Sequence, residues 1–279
     1  MASEKAQLID KIQEYFKKAN WKAAVGEMEK LYALDPDPII RVRMGDAYQK
    51  LNQLADAVKE YVRAADLYAG KGTVVKALAQ YKLALRLDPK NCEAQDRMAA
   101  LHSNKTITEK KPESAEEGSQ PARSVIPLFA GLSKEEFDDF TKMMVVHIRQ
   151  PGHAIVKQGD TGQSVYIIAT GSVKVWTMTA AGERLDLARL GPSDFFGEMS
   201  FLTGKPRTAT VEAVSDTVIL EVTEDKLRDL VTRRPRVLEV LQQYSDMRAK
   251  GTSQKIQSTQ KAPAAVPPPP TPEDRKSVV

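Results

Sequence analysis

The spacing of apolar residues changes part-way along the chain, and that change limits the folds open to it. From Glu4 to about Ser103 apolar side chains recur at helical intervals, with breaks at Asn20, Asp35-Pro36, Gly70 and Asp88-Pro89. The pattern predicts six helices, over about 4–18, 21–34, 38–51, 54–69, 72–87 and 91–103. Beyond Val125 it gives way to short alternating or continuous apolar runs at 154–156, 165–170, 173–178, 185–190, 208–213 and 217–222, parted by glycine-bearing turns. Many short strands at even spacing point to a barrel or jelly roll. An amphipathic helix over 133–146 precedes the strands, and helices over about 223–233 and 236–248 follow them. Between the two regimes, residues 105–124 (KTITEKKPESAEEGSQPARS) hold almost no large apolar side chain and cannot bury enough surface to offset their ordering entropy.

The expected architecture is a multidomain α + β chain. Residues 1–104 form an N-terminal all-α helical repeat array, 105–124 a flexible linker, 125–248 a C-terminal β jelly-roll with flanking helices, and 249–279 a disordered proline-rich tail. No apolar run approaches the ~18 residues of a membrane span, and the start lacks a signal peptide's apolar core. The lone Cys92 leaves no partner for a disulfide or a multi-cysteine zinc site, which fits a cytoplasmic location. With 41 basic and 37 acidic residues, a net charge of +4 does not by itself imply a polyanionic partner.

The helical half resembles tetratricopeptide repeats, whose period is about 34 residues. One repeat spans about 5–38, with Tyr15 and Ala24 at the aromatic and small positions. A second, 38–71, has Gly45, Tyr48, Ala57, Tyr61 and Ala64; a third, ending at Pro89, has Ala65, Tyr68, Ala77, Tyr81 and Ala84. The second and third overlap, so the helix over 54–69 serves both. Such arrays present a concave surface to peptides or partner proteins, so an unidentified protein partner is expected here.

The segment Phe196-Gly-Glu-Met-Ser-Phe-Leu-Thr-Gly-Lys-Pro-Arg-Thr-Ala-Thr-Val211 carries the chemistry. Gly197 allows close backbone approach, and the amides opening the turn after it can meet an anion. Arg207 can offer its planar fork to two phosphate oxygens, and ionised Glu198 can accept from a ribose hydroxyl. A cyclic phosphodiester fused to ribose satisfies all three.

On these residues the chain resembles the cyclic nucleotide-binding domain family, found in bacterial catabolite activator proteins, regulatory subunits of cAMP-dependent protein kinase and cyclic nucleotide-gated channels. The likeness runs from about Ile126 to Gln243. It includes I-P-L-F-A-G-L, P-G-x-x-I-V-K-Q-G-D at 151–160, Val165-Tyr-Ile-Ile with Gly171, Phe195-Phe-Gly-Glu, and Pro206-Arg-Thr-Ala-Thr. The resemblance implies that Glu198 binds the ribose 2′-hydroxyl and Arg207 the cyclic phosphate. Backbone amides near Gly197 to Met199 and the Thr208 hydroxyl or amide would complete the cradle. Asp160 is implied as the carboxylate that holds the arginine in place, though Gly-Asp is also a common turn pair. Tyr244 is either a cap over the base or a core tyrosine. The ligand is cAMP or cGMP, with no further cofactor and no metal.

No helix-turn-helix can be built from the polar and proline-rich residues after Arg248, so direct DNA binding is not expected. Kinase and P-loop motifs are missing, and His102, His147 and His153 lie apart without a nucleophile. Serines after basic residues at 110–114 and 275–277, the Ser277-Val-Val279 terminus and Pro267–Pro270 are short patterns of the kind that kinases, PDZ domains and SH3 domains read. The sequence therefore describes a non-enzymatic cytoplasmic adaptor that couples cyclic nucleotide to a protein partner. The alternative is a scaffold whose nucleotide fold serves protein interaction only.

Overall fold

The computed structural model describes residues 2–101, 127–129, 132–179 and 182–261. The predicted linker at 105–124, His102 and everything after Lys261 lie outside the described residues, as do the short patterns at 110–114, 267–270 and 275–279.

Six helices open the chain: α1 (Ala2–Lys17), α2 (Trp21–Leu34), α3 (Pro38–Lys50), α4 (Leu54–Gly70), α5 (Val74–Leu87) and α6 (Cys92–Ala100). Their starts follow from local chemistry. Asn20 and Asn91 accept from the amides of Ala23 and Ala94, and Asp37 accepts from Ile39 with Pro38 in the first turn. Left-handed residues at Ala19, Asn52 and Gly72 turn the chain between α1 and α2, α3 and α4, and α4 and α5. One cross-helix bond recurs along the array: Tyr61 Oη donates to Asp46 at 2.6 Å, and Tyr81 Oη donates to Asp66 at 2.6 Å. Ala57, Ala64, Ala77 and Ala84 are fully buried, which lets α3, α4 and α5 approach closely.

After a 3-10 turn at Pro127–Phe129, α7 (Lys134–Met143) begins with a capping box between Ser133 and Glu136. Eight strands follow: β1 (Val145–Arg149), β2 (Ala154–Val156), β3 (Val165–Thr170), β4 (Val173–Met178), β5 (Arg184–Leu190), β6 (Phe195–Phe196), β7 (Thr210–Ala213) and β8 (Thr217–Val222). Between β6 and β7 lies the short α8 (Glu198–Thr203); α9 (Glu224–Arg233) and α10 (Pro235–Lys261) follow β8. The strands form two antiparallel sheets ordered β1-β8-β3-β6 and β2-β7-β4-β5, which is jelly-roll topology. Val156, Ile168, Val173, Phe196, Val211 and Ile219 fill the space between them.

Two expectations need correction. The amphipathic helix ends at Met143 rather than 146, because Val145–Arg149 pair with β8 as an edge strand. The final helix runs to Lys261, not 248: Ala249–Lys261 holds no proline, and the first proline after it is Pro263. Residues 249–261 are thus helical rather than part of a disordered tail. The helical and β regions share a packed junction. Helix α5 packs against β1, β3 and β8, and a single buried core joins Leu78 and Leu83 of the array to Ile167, Val218 and Leu220 of the outer sheet face. Lys82 on α5 reinforces this contact by donating to the backbone carbonyl of Lys142, near the C-terminal end of α7, at 2.9 Å. Arg234 pairs with Glu136, fastening the α9–α10 junction to α7.

Candidate functional site

Strand β6 sets the geometry of the site. Phe195 and Phe196 pair with Ile167 and Tyr166 of β3, so the chain leaves the sheet at Gly197 directly against the start of β3. Gly197 has φ +95, and a Cβ there would lie 2.6 Å from the carbonyl of Ser164 and 2.8 Å from Arg207 Nη1. Only glycine fits. Helix α8 then begins at Glu198, which is 2 % exposed.

Arg207 enters from the other side. Its N–H donates to the Asp160 carbonyl (2.9 Å) and its carbonyl accepts from Gly159 N (2.8 Å), fixing the backbone ahead of β7. Its side chain donates from Nη1 to the Gly197 carbonyl (3.2 Å) and from Nη2 to the Ser164 carbonyl (2.9 Å). The residue is 6 % exposed, and no carboxylate lies within ion-pair distance of it among the described residues. Burial pushes the guanidinium below the ordinary arginine value, opposed by nearby Glu221, Asp160 and Glu198. It stays charged, since arginine is not deprotonated in proteins.

Gly197, Glu198, Met199, Arg207 and Thr208 all line one cavity of about 560 Å³. Its polar end lies at these residues, and its apolar wall comes from Val156, Val175, Leu187, Leu190 and Val211 on the β2-β7-β4-β5 sheet. That volume suits a nucleotide-sized ligand. The Thr208 hydroxyl faces Met199 Sδ at 3.7 Å, while Thr177 holds the backbone of this segment by donating to the Thr208 carbonyl at 3.2 Å.

The Asp160 expectation is corrected in its detail. Its carboxylate accepts from the amide of Lys157 at 2.9 Å and closes its own turn, so it reaches Arg207 through the main chain and not through an ion pair. Tyr244 packs on Phe195, with ring centroids 4.8 Å apart, and the α10 residues on the cavity wall are instead Arg248, Gly251 and Thr252.

Arg248 was not anticipated. Its Nη1 lies 2.9 Å from Glu198 Oε2, and its guanidinium lies over the rings of Phe195 and Tyr244. The signal available in sequence was a cation one helical turn after Tyr244, on the same face of an amphipathic helix. Gln158 carries no such signal in sequence: its side-chain amide exchanges two hydrogen bonds with the backbone of Met178, and its N–H donates to Thr210 Oγ1, tying the turn after β2 to β4 and β7. Among the described residues, no helix is long and apolar enough to cross a membrane, and no group of three or more His, Cys, Asp or Glu is arranged to hold a metal. His147 pairs with Glu221, and His153 contacts the Gln150 carbonyl.

Residues 148–234 match the family described as cyclic nucleotide-binding domain. The cyclic AMP receptor protein of Thermus thermophilus is 38% identical over 111 residues, covering 40% of this chain and 51% of that protein. The cAMP-dependent protein kinase regulatory subunit of Dictyostelium discoideum is 39% identical over 84 residues, 29% of this chain and 26% of that one. The chain thus spans about half the length of the first relative and a quarter of the second. A crystal structure of the Thermus thermophilus catabolite activator protein aligns over 48% of this chain and 63% of that chain, at 33% identity and a TM-score of 0.43.

Proposed function

We propose that this chain, whose residues 148–234 constitute a cyclic nucleotide-binding domain, is a non-enzymatic sensor that binds cAMP or cGMP in the cavity around Arg207 and relays occupancy to a protein held by its helices. The observation that carries this is Arg207 itself. A buried cation held by two backbone carbonyls, with no carboxylate in ion-pair range among the described residues, leaves positive potential free for a phosphate. On this reading Arg207 takes the equatorial phosphate oxygens and Glu198 the ribose 2′-hydroxyl. The amides around Gly197 to Met199 and the Thr208 side chain complete the cradle, and the apolar wall receives the base.

The partner-binding role of α1–α6 rests on their likeness to tetratricopeptide repeats. The recurring Tyr-to-Asp bonds and the left-handed turns at Ala19, Asn52 and Gly72 support that reading. The receptor and kinase subunit named above match this chain over 111 and 84 residues, less than half of it, so their partners are not carried over. This protein acts in the cytoplasm through protein contacts, without direct DNA binding. A mobility shift with random duplex DNA, with and without nucleotide, is expected to show none.

A second reading has its own support. Glu198 already has a partner in Arg248, at 2.9 Å, which competes with a ribose hydroxyl for the carboxylate. Calorimetric titration of the intact chain with cAMP and with cGMP separates the two. Saturable binding of either supports the sensor, and no heat with either at millimolar concentration leaves the scaffold.

A further inference from the structure

Arg207 poses a physical problem that its two carbonyl partners do not solve. A cation at 6 % exposure needs negative potential nearby, yet a carboxylate held against its fork would compete with any phosphate. The neighbour that meets both needs is aromatic. The Arg207 guanidinium carbon lies 5.6 Å from the centroid of the Tyr166 ring, in cation–π range.

Tyr166 is partly buried and held from both sides. In β3 it is paired with Phe196 of β6 and Glu221 of β8. Its ring stacks on Phe196, with centroids 5.1 Å apart and planes at 20°. Its Oη donates to Glu221 Oε1 at 3.3 Å, and Glu221 Oε2 lies 2.7 Å from His147 Nε2 on β1. Burial and the Glu221 carboxylate raise the phenol above its ordinary value, which keeps it a donor. Three strands therefore fix one ring.

We infer that Tyr166, anchored by Phe196 and Glu221, is a positioning residue for Arg207: its ring stabilises the buried guanidinium by a diffuse attraction, so that no carboxylate is needed against the fork, whose Nη1 and Nη2 each keep a second N–H beyond their carbonyl bonds. This rests on reading the cavity as a cyclic nucleotide site. Glu221, beyond the ring, adds long-range negative potential without occupying the fork. The Ser164 carbonyl, two residues before Tyr166, accepts from Nη2, so one short stretch of chain sets both the position and the tilt of the guanidinium.

The test is calorimetric titration of the intact chain, using whichever of cAMP and cGMP the wild type binds more tightly, with melting temperatures in parallel. Tyr166→Phe keeps the ring and is expected within about 2-fold of wild type, whereas Tyr166→Met keeps bulk without the ring and is expected to weaken binding roughly 2- to 30-fold. In an Arg207→Gln background, which lacks the cation, Tyr166→Met is expected to add less than about 2-fold. If Met proves too unstable to titrate, Tyr166→Leu replaces it in both backgrounds. The inference is overturned if Phe and Met weaken binding equally, if Met binds like wild type, or if its effect persists undiminished beside Arg207→Gln. Loss of all binding in the wild type is a separate result: it removes the nucleotide site itself, and this role with it.

Discussion

Arg207 and Gly197 depend on each other, because the arginine's Nη1 lies against the glycine carbonyl in space a Cβ would fill. Replacing Arg207 by Ala removes the charged partner of the phosphate and is expected to weaken cyclic nucleotide binding by about 2–5 kcal/mol, measured by calorimetry. Gly197→Ala must adopt φ +95 and push against Ser164 and Arg207. It is expected to lower stability by about 1–3 kcal/mol in urea unfolding and to weaken nucleotide binding as well. These residues were legible in sequence because their chemistry is local: a glycine, a carboxylate and an arginine within one short segment. Arg248 was not, since it reaches Glu198 from a helix whose placement depends on packing against Phe195. Asp160 was legible as a turn residue, but the direction of its carboxylate was not, because a Gly-Asp pair closes a turn whether or not an arginine stands nearby.

At the scale of elements, the helices of the array were readable because each carries a long periodic run and a chemical stop. Strands β1 and β6 were not. Val145–Arg149 follows an amphipathic helix so closely that only its pairing with β8 ends the helical period, and two residues at Phe195–Phe196 are too few to show any period. Helix α10 outlasts its expected end, since neither lysine, glutamine nor a single glycine stops a helix that already has a packed face. Gly251, on that helix and at the cavity wall, has open space where a Cβ would stand. Gly251→Ala is therefore expected to stabilise α10 by roughly 0.5–1 kcal/mol, seen as slower amide exchange over 249–261.

For the whole molecule, the junction between α5 and the outer sheet face puts array and barrel on one buried core. Burial lowers the Lys82 ammonium at this junction from 10.5 to about 8. Its folded form thus binds protons less readily than its unfolded form, so its contribution to stability rises with pH from about 8 and levels off near 10.5. Urea unfolding at pH 7.5 and 9.5 is expected to show wild type gaining on Lys82→Met at the higher pH; parallel pH responses would place that lysine in water. The junction also bears on how the protein is made. Synthesis delivers the helices first, but the side of α5 that meets β1, β3 and β8 stays uncovered until Val222, the last residue of β8, has left the ribosome. A nascent or truncated chain ending near residue 104 would carry that apolar face bare, and it is expected to self-associate in analytical ultracentrifugation where the intact chain does not.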